Sequence, residues 1–306
     1  MPTNDGRLSR IQGRLLDHAE AIEREDPPSI VFQHTVLCQI GLPYRDPGPG
    51  VRVWERLNGN AHLKVLAGEA MHPEKGRLVE LGLPFGPKPR LVLCYVNAEA
   101  LRTGSPEIEV EASLTAFVKR IGLDPKGRNM RIIKDQLSRL SAAQIRMAVT
   151  YSEEHTRQIN AHIVSGFDLW FPKNERQRVL WPSTVCLSLD YFASLQRHAV
   201  PLDERAIAAL SHNAMALDVY CWLAQRLHRI NPTCPAFVPW TALRNQFGWH
   251  YSTVRKFRQV FRLTLDGVLT QYRDARIVLD GRGLTLQNSP PPIRGRLLVV
   301  PKAIVP

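Results

Sequence analysis

Residues 241–269 read TALRNQFGWHYSTVRKFRQVFRLTLDGVL. The spacing over 241–247 predicts a short helix, and Gly248 ends it. After a polar turn, Val254, Phe257, Phe261, Leu265 and Val268 recur at helical intervals and draw the apolar seam of a long helix. Further on, Ile277 and Leu279, then Leu284 and Leu286, alternate on either side of Asp280-Gly281, which predicts a β-hairpin. Upstream, Phe237-Val238 predicts a short extended piece. Before that, one helix is expected to start at Asp203, with Ile207, Leu210, Ala214, Leu217, Cys221, Ala224 and Leu227 on a single stripe.

The same order occurs once before. A helix is expected over 90–102, ended by Gly104, then an extended piece over 106–111. Ser113 caps a short helix reaching Ile121, with Gly122 as its C′ residue. After Asp124-Pro125, the positions of Met130, Ile133, Leu137 and Leu140 predict a longer helix. Ile145, Met147 and Val149, then Ile159, Ala161 and Ile163, alternate around polar residues 152–156 and predict a hairpin. Thr115-Ala116-Phe117 matches Thr241-Ala242-Leu243 at an offset of 126 residues, and Ile121-Gly122-Leu123 matches Phe247-Gly248-Trp249. The expected fold is therefore α+β, with tandem winged-helix domains, each a helix-turn-helix followed by a β-hairpin wing. In such a unit the helix after the turn enters the major groove.

The charge falls where this reading needs it. The 306-residue chain carries a net +12, with 31 Arg against 9 Lys. Residues 113–142 and 241–276 each hold seven basic and two acidic side chains, so these 66 residues carry +10 of the excess. That is the footprint of a surface that tracks phosphates. Candidate double-stranded DNA contacts follow from position on the helices. Arg128 and Arg131 stand near the N-terminus of the first long helix, where base edges are reached, and Lys134 and Arg139 suit phosphates. In the second unit, Tyr251 and Ser252 follow His250 into the long helix, which carries Arg255, Lys256, Arg258 and Arg262. Arg255, Arg258 and Arg262 share a face opposite the apolar seam. Arg244 on the preceding helix is assigned to the DNA backbone, and Arg282 stands at the wing tip.

Outside these units, residues 1–28 read as an N-terminal arm with Leu8, Ile11, Leu15, Ala19 and Ile22 at helical spacing, stopped by Pro27-Pro28. Val51, Val53, Leu63 and Val65 flank Asn58-Gly59, a hairpin signal, and a second turn falls at residues 72–76. The domains are expected at 29–168, with a β-rich N-terminal part, and at 169–288, followed by a Pro-rich tail over 289–306. The β-rich part reads either as the sheet that completes the first unit or as a dimerisation element.

Catalytic chemistry is not legible. The chain has no GxxxxGK[ST], no HExxH, no GxSxG and no pair of histidines one residue apart, so neither catalytic residues nor a metal or cofactor is expected. Five widely spaced cysteines without CxxC read as reduced core residues. No apolar run approaches the roughly 18 residues of a membrane span, and residues 1–24 lack the apolar core of a signal peptide, so a cytoplasmic protein is expected.

Several runs carry a resemblance. They are Phe32-Gln33-His34 through Gly41-Leu42-Pro43-Tyr44-Arg45, residues 82–90 (GLPFGPKPR), Ser113-Leu114-Thr115-Ala116-Phe117, residues 168–173 (DLWFPK), residues 179–183 (VLWPS), residues 200–206 (VPLDERA) and Gln246-Phe247-Gly248-Trp249-His250. Together they resemble the RepA-type plasmid replication initiators of proteobacteria over roughly residues 29–293. The resemblance implies an initiator that binds repeated sites at a plasmid origin, helps open an adjacent AT-rich segment and draws in the host initiator and replicative helicase. It also implies exchange between a homodimer and an origin-binding monomer. A winged-helix repressor acting on its own operator is the alternative reading, and a DNA nickase a more distant one.

Overall fold

The computed structural model describes residues 10–24, 29–72, 77–110, 114–120, 122–152, 155–161, 163–167 and 183–293. The chain runs α1 (Arg10–Arg24), β1 (Ile30–His34), α2 (Thr35–Gln39), β2 (Val53–Asn58), β3 (Ala61–Leu66), β4 (Glu69–His72), β5 (Arg77–Glu80), α3 (Pro87–Thr103), β6 (Glu107–Val110), α4 (Leu114–Arg120) and α5 (Gly127–Ala142). It continues through β7 (Gln144–Ser152), β8 (His155–Ala161), β9 (Val164–Phe167), β10 (Ser183–Leu187), α6 (Leu189–His198), β11 (Ala199–Asp203), α7 (Glu204–Ala209) and α8 (Ala214–Arg226). It ends with β12 (Ala236–Pro239), α9 (Trp240–Phe247), α10 (Val254–Leu269), β13 (Ile277–Leu279) and β14 (Gly283–Leu286). The fold is a mixed α+β one that divides into a larger unit, Val31–Pro201, and a smaller unit of Met1–Ile30 with Leu202–Arg294. This division falls at 201/202, where the sequence sets its boundary at 168/169. Strand β10 explains the difference, because it pairs with both β6 and β9 and so draws residues 183–187 into the larger unit.

In the larger unit, α3 is buried along nearly its whole length, from Pro89 to Leu101. Gly86, at φ +76°, turns the chain into it, Pro87 fits a first turn that has no partner for an N–H, and Gly104, at φ +68°, ends it by donating to the Ala100 carbonyl. Helix α5 covers it with the expected stripe, since Ile133, Leu137 and Leu140 are buried. The hairpin β7–β8 forms, and β3 pairs along β7 from Ala61↔Val149 to Leu66↔Gln144. The β-rich segment thus completes a sheet of order β2-β3-β7-β8. The predicted hairpin at Asn58-Gly59 closes one residue later, with Asn58 opposite Ala61 and Gly59-Asn60 as the loop. The expected turn over 72–76 lies largely outside the described residues, between the paired strands β4 and β5. Strand β6 departs from the repeat, because it pairs with β10 and not with the hairpin that follows α5.

A polar cluster sits in this core. Asn97 donates to the Phe32 carbonyl at 3.1 Å and to Gln33 Oε1 at 3.3 Å, and accepts from the Tyr191 hydroxyl at 2.9 Å. His34 caps α2 by accepting from the Val36 N–H at Nδ1, which leaves its Nε2–H to donate to Ser194 Oγ at 3.0 Å. Burial, and next to it the charge of nearby His198, hold the His34 pKa down at about 3. An unfolded histidine binds its proton near pH 6.5, so below that pH the unfolded chain takes up a proton that the folded one refuses. The stability of the larger unit is therefore expected to fall by about 1.4 kcal/mol per pH unit between about pH 6 and pH 3. Urea midpoints measured across that window should fall less steeply for His34→Gln, and equal slopes would remove His34 as the cause.

In the smaller unit, the single helix expected from Asp203 is two. Helix α7 stops at Ala209, and Asn213 starts α8 by accepting from the Ala216 N–H, a cap that outweighs the continuous apolar stripe. Asp203 caps α7 and binds the Arg205 guanidinium with both carboxylate oxygens, at 3.0 and 2.7 Å. Strands β12, β14 and β13 form one antiparallel sheet in that order. The N-terminal helix α1 belongs to this unit, with Ala19 buried and the Leu15 carbonyl accepting from Gln271 Nε2 at 2.8 Å.

Candidate nucleic-acid interface

The smaller unit presents helix α9, the turn 248–253 and helix α10 in front of the β13–β14 hairpin. Phe257, Phe261, Leu265 and Val268 of α10 are buried, as the seam predicts. Phe257 and Phe261 stand edge-on to Trp240, with ring centroids 6.1 and 5.9 Å from it, and Phe247 meets Phe261 at 5.8 Å. This aromatic cluster fixes α10 against α9. Thr253 caps α10 by accepting from the Lys256 N–H.

Gly248 lets the turn close. A Cβ there would lie 2.3 Å from Cδ2 of Phe257, whose ring is fully buried and hemmed in by Trp240 and Phe261. Gly248→Ala is expected to cost about 1–3 kcal/mol through overpacking, read as a lower thermal midpoint of the smaller unit. An unchanged midpoint would show that the turn has slack.

The basic side chains divide into outward and inward sets. Arg255, Lys256 and Arg262 are exposed, and so is Ser252 at the entrance to the helix. Arg282 projects from the β13–β14 turn with its guanidinium 5.8 Å from the Phe237 ring centre and 3.7 Å from Asp280. Arg258 is half-buried, its guanidinium 5.1 Å from the centre of the Trp240 ring, and Arg262 crosses the same ring at 5.8 Å. Tyr251 is half-buried, with its ring 4.1 Å from His250 and 5.9 Å from Phe257. Arg244 turns inward and donates to the carbonyls of Tyr251 at 2.9 Å and Ser252 at 3.4 Å, so it braces the turn between the two helices. Sequence spacing could not separate Arg244 from its exposed neighbours, because the carbonyls that hold it appear only when the turn folds.

In the larger unit, Arg128 and Arg131 are exposed on the first turns of α5. The Lys134 side chain lies outside the described residues. Arg139 is engaged elsewhere. Its guanidinium donates to the Leu83 carbonyl at 3.3 Å, lies 2.9 Å from Asp135 and 3.5 Å from Asp46, and rests 5.1 Å from the Phe85 ring centre. Arg139 thus ties α5 to the loop before α3.

The quoted motifs meet in that same loop. Arg90, buried at the start of α3, donates to the carbonyls of Gly86 at 2.6 Å, Leu42 at 2.5 Å and Pro43 at 3.4 Å. It also lies 5.2 Å from the centre of the Tyr44 ring. The runs 41–45 and 82–90 are therefore two halves of one structural knot. No helix among the described residues is long and apolar enough to cross a membrane.

A family model described as plasmid encoded RepA protein matches residues 83–238. It takes in α3 through β12 and most of the quoted runs, and leaves out 32–45 and 246–250. Two solved structures match the chain in part. The selenomethionine derivative of domain 2 and domain 3 of RctB has a TM-score of 0.49 at 9% identity, over 83% of this chain and 98% of that one. RctB domains 2–3 give 0.48 at 8% identity, over 82% and 94%. No curated protein matches the chain in sequence.

Proposed function

Because the chain belongs to the plasmid-encoded RepA protein family, we propose that it is a plasmid replication initiator. In this reading it binds repeated double-stranded sites at its origin, promotes opening of the adjacent duplex, recruits host initiator and helicase, and works in the cytoplasm without a catalytic centre or cofactor. The observation that carries DNA binding is the outer face of α10, where Arg255, Lys256 and Arg262 stand clear of the buried Phe257–Phe261 seam, beside a hairpin turn bearing Arg282. Helix α8, strand β12, helices α9 and α10 and the β13–β14 hairpin support a winged-helix reading of the smaller unit, with α10 as the groove helix. Helices α3, α4 and α5 with β7–β8 repeat that order and support a second such unit, in which Arg128 and Arg131 take the base-edge positions.

Complementation tests the initiator reading. The DNA flanking the gene is placed on a plasmid that cannot replicate alone, and the protein is supplied from a second plasmid. Stable inheritance is expected, with laddered gel shifts on repeated sites. A protein that occupies this DNA yet supports no replication would be a repressor, and a nicked, covalently tagged strand would make it a nickase.

A further inference from the structure

The side chains that α10 exposes are Arg255, Lys256, Gln259, Arg262, Leu263 and Asp266. At about 100° and 1.5 Å per residue, Arg255, Gln259, Arg262 and Asp266 fall within about 60° of one another and draw one stripe along the helix. Lys256 and Leu263 stand to one side of it. Gln259 is the neutral member of the stripe, one turn after Arg255, and the Lys256 ammonium donates to its Oε1 at 3.4 Å. A guanidinium or an ammonium gains from any phosphate, whatever the sequence beside it. A neutral amide gains little from that field, and its best partner on a duplex is a base edge. Adenine offers its N6–H donor and N7 acceptor in the geometry that both ends of a carboxamide match. Asp266 lies about 16 Å beyond Arg255 along the axis and meets phosphates as a like charge, so the groove contact is confined to the part of the stripe before it.

We infer that Gln259 is a specificity residue of this chain and reads adenine in the major groove, its Oε1 accepting from N6–H and its Nε2 donating to N7. The inference rests on the reading of α10 as the groove helix. Lys256 acts as a positioning residue. Its ammonium takes one lone pair of Oε1 and turns Nε2 away from itself, and the second lone pair of Oε1 stays open for the base. Arg255, on the same stripe, matches O6 and N7 of guanine. The two residues are about 6 Å apart along the helix axis and stacked base pairs rise about 3.4 Å, so their bases lie no more than two steps apart. The recognised site is therefore expected to contain a guanine and an adenine, either adjacent or separated by one base pair.

Selection from a pool of randomised duplexes by the full chain, followed by sequencing, tests the assignment. The wild-type chain is expected to enrich sites in which a guanine and an adenine keep that spacing. Gln259 is exposed, so its variants should melt with the wild type. Gln259→Ala should keep the guanine and lose the preference for adenine. In anisotropy titrations, replacing that A·T pair by G·C should weaken wild-type binding about tenfold, and Gln259→Ala binding by less than about twofold. The salt slope of Gln259→Ala should stay at the wild-type value, because every charge is kept. Gln259→Glu should move the preference at that position from adenine to cytosine, whose N4 amino group donates to a carboxylate. Lys256→Ala should weaken the preference for adenine, whereas loss of the salt slope alone would make Lys256 a phosphate ligand and overturn its positioning role. Selection of the wild-type site by Gln259→Ala, adenine included, would overturn the role of Gln259 and leave α10 as the groove helix. No enriched sequence with the wild-type chain, or enrichment untouched by Arg255→Ala and Gln259→Ala alike, would overturn both.

Discussion

Arg255→Ala combined with Arg262→Ala is expected to weaken binding to the specific site by about two orders of magnitude, at roughly 1–3 kcal/mol for each guanidinium removed. Each phosphate no longer neutralised should also flatten the plot of log K against log salt by about 0.9. Both side chains are exposed and lie on the face of α10 away from the Phe257–Phe261 seam, so folding should change little. Arg262 contributes only its cation–ring contact with Trp240, of about 0.5–1 kcal/mol. Fluorescence anisotropy over a salt series, with a thermal melt beside it, reads both quantities. Wild-type affinity in a folded double variant would remove α10 from the interface. Arg258 makes a poorer probe, because its guanidinium covers Trp240 and its loss mixes folding with binding.

Arg90→Ala should be the most damaging single change in the larger unit. The Leu42 carbonyl loses the guanidinium in a buried place, the Gly86 carbonyl loses it as well, the Pro43 carbonyl keeps the Gly86 N–H at 2.9 Å, and the guanidinium leaves a hole beside Tyr44. An unsatisfied buried acceptor costs about 1–3 kcal/mol and the lost packing adds to it, so a total of about 2–4 kcal/mol is expected. Arg90→Lys should recover only part of it, because an ammonium cannot span carbonyls that a planar fork reaches together. Urea unfolding gives the number. A loss below about 0.5 kcal/mol would mean that the loop holds without the fork.

The arginines mark the limit of what the sequence discloses. The seam of α10, the Gly248 turn, the β13–β14 hairpin and the alternating strands β7 and β8 are local patterns, and each forms where its spacing puts it. The basic excess was legible too, but its division was not. Arg244 and Arg139 look like Arg255 and Arg131 in one dimension. They differ because backbone carbonyls of residues 251, 252 and 83 come within reach only in the folded chain. Long-range pairing escaped for the same reason. Nothing near Glu107–Val110 reveals that Ser183–Cys186 will pair with it and draw the unit boundary past residue 168. The helix stripe from Ile207 to Leu227 hid a break, because Asn213 lies between apolar positions and its capping bond outweighs periodicity. The resemblance motifs fared differently from the basic helices. Residues 41–45 and 82–90 hold the core together through Arg90, and of these only 83–90 fall within the family match.

We propose that this chain reads a DNA sequence through α10. A competition gel shift in about 150 mM salt, near physiological ionic strength, tests it most directly. The labelled probe is the DNA flanking the gene, and the competitor is shuffled DNA of equal composition. A preference of about 1,000-fold or more for the flanking DNA is predicted, the range of specific binders. Equal competition by the shuffled DNA would leave only a basic surface with non-specific affinity, and would contradict the assignment of α10 as a reading helix.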